Sequence, residues 1–159
     1  ATATPRCVLA RAAWRMQAGD RWYEAADMAA AAALVPGLGR RVFLSVGARS
    51  LEYFSGLSNR WFLVRLIDTL DDPLPLPQAK LITGRGPFDA TSEHRLLEQH
   101  RIDLLVTRAS GGAATEGKID AARDLGLPVI MVRRPAPPPG ETVETIAAAL
   151  DWLARGLSR

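Results

Sequence analysis

Thiols, lysines and membrane-length apolar runs are all scarce in this chain. Its single cysteine, Cys7, excludes an internal disulfide and leaves too few thiols for a structural zinc site. Histidine occurs only as His94 and His100, both in a stretch of helical composition where they read as solvated. No apolar run approaches the roughly 20 residues of a membrane-spanning helix, and no secretory pattern is legible. We therefore expect a cytoplasmic protein with no membrane partner. Basic runs are missing too. The net charge is +3, but the arginines are dispersed rather than gathered in a stripe with aromatics, which argues against nucleic acid as a partner. Dispersed arginines suit a ligand carrying several carboxylates or phosphates.

What the chain does contain is an alternation. Short apolar runs at residues 6–10, 42–46, 62–66, 80–83, 103–107 and 129–132 read as strands. Between them lie helical stretches: an alanine-rich one at 27–35 stopped by Pro36-Gly37, a short one at 50–54, and one at 91–100 capped by Thr91 or Ser92. Another, at 115–125, ends at Gly126. The last, at 142–157, spaces Val143, Ile146, Leu150 and Leu153 along one apolar face. Strands alternating with helices predict an α/β fold, an open and mainly parallel Rossmann-like sheet flanked by helices. A single domain of 159 residues is long enough to bury a substantial core.

Ligands in such sheets gather at the carboxyl ends of the strands. Four of these ends carry arginine: Gly47-Ala48-Arg49, Gly84-Arg85-Gly86-Pro87-Phe88, Arg108-Ala109-Ser110-Gly111-Gly112, and Arg133-Arg134-Pro135. The segment Ser110 to Lys118 is the most informative, because a strand, a small-residue turn and a helix start make an anion site. Lys118 is one of only two lysines, with Lys80, in an arginine-rich chain. A compact ammonium just past a Ser-Gly-Gly turn suits a ligand anion; a tight turn beside a solvated lysine is the alternative.

In order and spacing, these pieces resemble the precorrin-6A reductase family of cobalamin biosynthesis. The matching residues are Trp14 with Gly19-Asp20-Arg21-Trp22, Val42 to Gly47, Arg65 with Asp68, and Gly84 to Phe88 with Glu93. Ser110-Gly111-Gly112 with Thr115 and Lys118, then Val129 to Val132 with Arg134-Pro135, complete the series. The family commonly has Lys-Asn where this chain has Arg108-Ala109, and often Gly-Arg-Gln where it has Gly47-Ala48-Arg49.

The resemblance implies an NADPH-dependent reductase of the precorrin-6A macrocycle, a polycarboxylate tetrapyrrole held between two α/β domains. The sequence opens on Ala1-Thr2-Ala3-Thr4-Pro5 and looks like the second of these domains. Residues 1–26 then form a crossover from an N-terminal domain that is missing here, and residues 27–159 the binding domain. NADPH is expected at Ser110, Gly111, Gly112, Thr115 and Lys118. The substrate is expected at Arg49, Arg85 and Arg134, although Arg85 could instead pair with Glu93 and Arg134 could form an edge salt bridge. Trp14 and Trp22 are either an aromatic wall or anchors of the crossover; Trp61 and Trp152 read as packing residues. Asp20 is either a proton relay or an exposed turn residue. No metal site and no assigned catalytic side chain emerge. A nucleotide- or phosphoanion-binding module without catalysis of its own is the alternative function.

Overall fold

Residues 42–44, 62–64, 104–106 and 129–132 are apolar at every position because the strands they form are covered on both faces. The computed structural model describes residues 5–157. Its strands are β1 (Cys7–Leu9), β2 (Arg21–Ala25), β3 (Arg41–Ser45), β4 (Trp61–Leu66), β5 (Ala79–Thr83), β6 (Leu104–Arg108), β7 (Pro128–Val132) and β8 (Glu141–Val143). The helices are α1 (Met28–Leu38), α2 (Ala90–Gln99), α3 (Gly117–Leu125) and α4 (Ile146–Leu157). Two 3-10 segments, Ala48–Phe54 and Ala113–Thr115, follow β3 and β6. Six strands form one fully parallel sheet in the order β2-β7-β6-β3-β4-β5, and β1 pairs with β8 in a separate parallel pair.

Successive strand residues point to opposite faces, so each strand feeds two cores. Val42, Leu44, Phe62, Val64, Leu104 and Val106 face α1 and the 3-10 helix, meeting Ala31, Val35, Leu51 and Phe54. Phe43, Leu63, Leu105, Val129 and Met131 face α2 and α3, meeting Leu97, Ile119, Ala121 and Ala122. Helices on both faces of a parallel sheet make the fold doubly wound, as the alternation of elements predicts.

Four local expectations change. The segment before residue 27 is more than a crossover, because Arg21–Ala25 is an edge strand parallel to β7. Its mostly exposed Arg-Trp-Tyr-Glu-Ala gives no apolar run to read. Pro36 does not stop α1, which runs on to Leu38. The ring removes the i→i−4 bond to the Ala32 carbonyl, and Arg60 donates to the terminal carbonyls of Pro36 (3.1 Å) and Gly39 (3.4 Å). The cap of α2 is Asp89 rather than Thr91 or Ser92; it accepts from both the amide and the hydroxyl of Ser92 at 2.8 Å. Finally, Val143 belongs to β8, and the helix begins only at Ile146. The expected apolar face of that helix is not packed: Ile146, Leu150 and Leu153 are 70, 60 and 51% exposed.

Candidate functional site

The strand order places the crevice of the sheet. From β3 the chain moves outward to β4 and β5, then crosses back to β6 and continues the other way to β7. The reversal falls between the neighbours β3 and β6, and ligands of doubly wound sheets bind outside the carboxyl ends of such a strand pair. Both strands leave the sheet through a glycine in nearly the same conformation. Gly47 has φ +88° and ψ 159°, and Gly112 has φ +81° and ψ 156°. A side chain at either position would be strained. Each glycine turns the chain directly into a 3-10 segment.

Arg108 braces this crevice. Its Nε donates to the Val46 carbonyl at 3.1 Å and its Nη2 to Ser50 Oγ at 2.7 Å, tying the end of β6 to the turn after β3. Arg49, one residue before Ser50, is exposed and makes no ion pair among the described residues. Ser110, Gly111, Gly112, Thr115 and Lys118 are brought together, because all border one turn. That turn is partly covered by the chain itself. Trp14 Nε1 donates to the Gly112 carbonyl at 2.8 Å, and the Gly112 amide donates to Ala12 O at 3.1 Å. A Cβ on Gly111 would collide with the same Ala12 carbonyl. The two glycines therefore admit the segment Arg11–Trp14 at close range, a role their local sequence does not reveal.

The other loops converge on the same turn. The loop after β5, which contains the cis Gly86–Pro87 bond, folds back so that the Phe88 amide donates to Ala114 O at 3.0 Å. Arg85 on that loop does not reach Glu93; it is exposed, 4.0 Å from Asp68. Arg134, after β7, donates to Arg11 O at 2.7 Å instead of forming an edge salt bridge. Its neighbour Arg133 pairs with Glu24.

Lys118 is not solvated. It is 4% exposed, and its ammonium donates to Thr115 O at 3.0 Å and lies 5.0 Å from the centre of the Trp14 ring. Its pKa is lowered to about 8, chiefly by burial; Glu93 partly offsets this and the nearby Arg65 adds to it. Glu93 is 2% exposed and accepts from both terminal nitrogens of Arg65, at 2.9 and 2.5 Å. The Arg65 guanidinium is sandwiched between the rings of Phe43 (4.9 Å) and Phe88 (3.9 Å). This pair was the part of the site that its sequence spacing concealed. Its one signal is an arginine inside the apolar strand Trp-Phe-Leu-Val-Arg-Leu, a buried charge that requires a partner.

Asp20 is likewise neither exposed nor open to a ligand. Its side chain is 1% exposed, paired with Arg123 Nε at 2.9 Å, and holds the crossover against α3. Trp22 packs against the core beneath α3, where its Nε1 is buried without a partner. Trp61 stacks on the half-buried His100 at the opposite end of the sheet. No cluster of three metal-ligating side chains occurs among the described residues, and no helix there is long and apolar enough to cross a membrane.

The geometry defines a doubly wound α/β domain whose glycine- and arginine-bearing loops collect over one switch point. The family model described as precorrin-6x reductase CbiJ/CobK matches residues 1–154, and the chain belongs to that family. It is 47% identical over 150 residues to the precorrin-6A reductase of Rhodococcus erythropolis, covering 94% of this chain and 60% of that protein. With the precorrin-6A reductase of Rhodobacter capsulatus it shares 42% identity over 153 residues, 96% of this chain and 61% of the relative. A solved structure of CobK precorrin-6A reductase superposes with a TM-score of 0.89 at 43% identity, over 94% of this chain and 61% of that one. The chain thus spans about 60% of the length of these relatives.

Proposed function

We propose that this chain is the part of a precorrin-6A reductase that holds NADPH and one side of the macrocycle, and that the whole enzyme reduces precorrin-6A. The observation that carries the reading is the convergence of the loops after β3, β5, β6 and β7 around the Ser110–Thr115 turn, in a chain of this family. The residues fit a phosphorylated cofactor: an exposed unpaired Arg49, the Ser110 hydroxyl without a partner among the described residues, and the Lys118 charge beneath the turn. NADPH, when bound, supplies the hydride. The chain's own task is to orient two large anions, which needs positive groups more than catalytic side chains. Ser110, Gly111, Gly112 and Thr115 border the place where phosphate or ribose oxygens would lie, with Lys118 acting from below. Arg49 and Arg85 reach outward toward substrate carboxylates, and Arg134 shapes the rim through Arg11. A reductase drawing on NADPH would work in the cytoplasm.

Residues 1–26, whose β2 also edges the sheet, then carry the connection to the rest of such an enzyme, and 27–159 form the remainder of the binding domain. The β1–β8 pair and α4 support a joint at this place. A two-stranded parallel sheet leaves both edges open, and parallel sheets are stable when extended and covered. The exposed face of α4 and Leu9, 54% exposed, offer apolar surface beside it.

The test is the enzyme restored to the relatives' full length. Ser110→Ala with Thr115→Val should weaken NADPH binding about tenfold, the loss of one or two hydrogen bonds. Arg49→Glu with Arg85→Glu should raise the substrate KM. Unchanged values for both pairs would overturn the reading. A nucleotide-binding module is the second reading, favoured by the Ser110–Lys118 segment lying wholly within this chain; it predicts NADPH binding to this chain but no turnover in the restored enzyme.

A further inference from the structure

The buried charges beside the site do not balance. Arg65 and Lys118 are both cations, with side chains or residues at most 10% exposed, and Glu93 is the one carboxylate among them. Glu93 is already engaged by both Arg65 nitrogens, so Lys118 holds its charge on a single carbonyl and the Trp14 ring. The other carboxylates nearby, Asp89, Glu116 and Asp120, make no hydrogen bond or ion pair to Lys118 among the described residues. On α2, Asp89 spends its carboxylate on Ser92; from the crossover, Arg11 lies over Gly112 and adds positive charge. Further along α3, Asp120 is bound by Arg123, which also holds Asp20. Arg85, on the loop packed against Ala114, is another cation.

We propose that the triad Arg65–Glu93–Lys118 is the electrostatic anchor for an anionic group of the ligand docked over the turn, with Lys118 a positioning residue acting through Thr115. The inference rests on the reading of that turn as an anion site and adds the source of its charge. Lys118 is buried under the turn, so it acts by field and by holding the Thr115 carbonyl rather than by contact. A buried cation with no carboxylate of its own is best satisfied when a ligand anion arrives. The arriving anion in turn raises the proton affinity of the ammonium. Binding above neutral pH is then accompanied by proton uptake at this lysine, consistent with the direction in which burial has moved it.

With only two lysines, the chain provides its own control. Selective 13C-lysine labelling gives one ε-methylene signal for Lys118 and one for the exposed Lys80. The probes are sulfate, which does not titrate in the working range, and NADPH. The expected result is a Lys118 midpoint below the ordinary lysine value, moved upward by sulfate or NADPH, with the Lys80 signal as the control. NADPH affinity, measured by calorimetry, should fall by up to about tenfold per pH unit above that midpoint. Lys118→Met should flatten this profile, and Lys118→Arg should restore affinity without the pH dependence. A Lys118 signal indifferent to both anions overturns the anchor, and so does pH-independent NADPH binding. Failure of the wider reading looks different: sulfate still moves Lys118, but NADPH binds nowhere. Because the midpoints are read on the unmodified chain, a variant that fails to fold leaves the test intact.

Discussion

Replacing Glu93 by Gln asks the most of this structure, because it removes the carboxylate that pairs with buried Arg65 and offsets the charge of buried Lys118. Glu93 is 2% exposed and makes two charge-assisted bonds to Arg65. Breaking a buried ion pair on one side costs about 3–5 kcal/mol. The amide oxygen of Gln can keep one of the two bonds, which returns about 1 kcal/mol. The expected loss is therefore about 2–4 kcal/mol, with the Arg65–Lys118 repulsion now unopposed. For a domain of this size that corresponds to a fall in Tm of roughly 4–16 °C. Urea denaturation followed by circular dichroism reads the change as a lower midpoint at constant slope. The cycle with Lys118→Met isolates the cause. Removing one of two crowded cations should make the double variant less damaged than the sum of the single ones, by on the order of 1 kcal/mol. A loss below 1 kcal/mol for Glu93→Gln, or strict additivity with Lys118→Met, would refute the account of a charge-imbalanced triad.

Three further outcomes follow from other parts of the structure. Lys118 has its pKa lowered from 10.5 to about 8 in the folded chain, so between these values the unfolded state binds more protons and stability rises with pH. The gain, on the order of 3 kcal/mol by pH 10.5, should be visible as an upward denaturation midpoint and be missing in Lys118→Met. Gly111→Ala should destabilise by about 2–4 kcal/mol, since φ is +68° and the new Cβ meets the Ala12 carbonyl; retained Trp14 protection in hydrogen exchange of its indole would contradict this. Exchanging Ile146, Leu150 and Leu153 together for Gln should leave stability within about 0.5 kcal/mol per site, because all three are exposed. Sedimentation should show any self-association of the chain reduced, and a large loss of stability would mean that the face is packed.

Legibility followed burial. The central strands β3, β4, β6 and β7 stand out in the sequence because helices cover both faces, so every position is apolar. The edge strand β2 shows only Ala25 buried and carries no such signature. The three residues of β8 are too few to show a period, and its Val143, spaced with the exposed Ile146, Leu150 and Leu153 beyond it, imitates the face of a packed helix. The glycine turns were legible as turns, since Gly47, Gly112 and Gly126 all take positive φ. Their neighbours were not, because Ala12 and Gly111, or Arg65 and Glu93, meet only through the fold.

The arginines show the same limit most clearly. Counted along the sequence, every one at a strand end looks available to an anionic ligand. The fold divides them. Arg108 is consumed in bracing β6 to the turn after β3, Arg133 in a pair with Glu24, and Arg134 in holding Arg11. Elsewhere Arg65 and Arg123 each hold a buried carboxylate, and Arg60 closes the end of α1. Arg49 and Arg85 are the strand-end arginines left without a hydrogen-bonded partner among the described residues, Arg85 with only the 4.0 Å approach of Asp68. Local sequence cannot make this division, because an arginine's partner is chosen by tertiary approach while its exposure looks alike in every loop. The positive charge that a polyanion would meet is thus smaller in number than composition suggests. It is concentrated at the two loops flanking the switch-point turn, with the buried charge of Lys118 beneath.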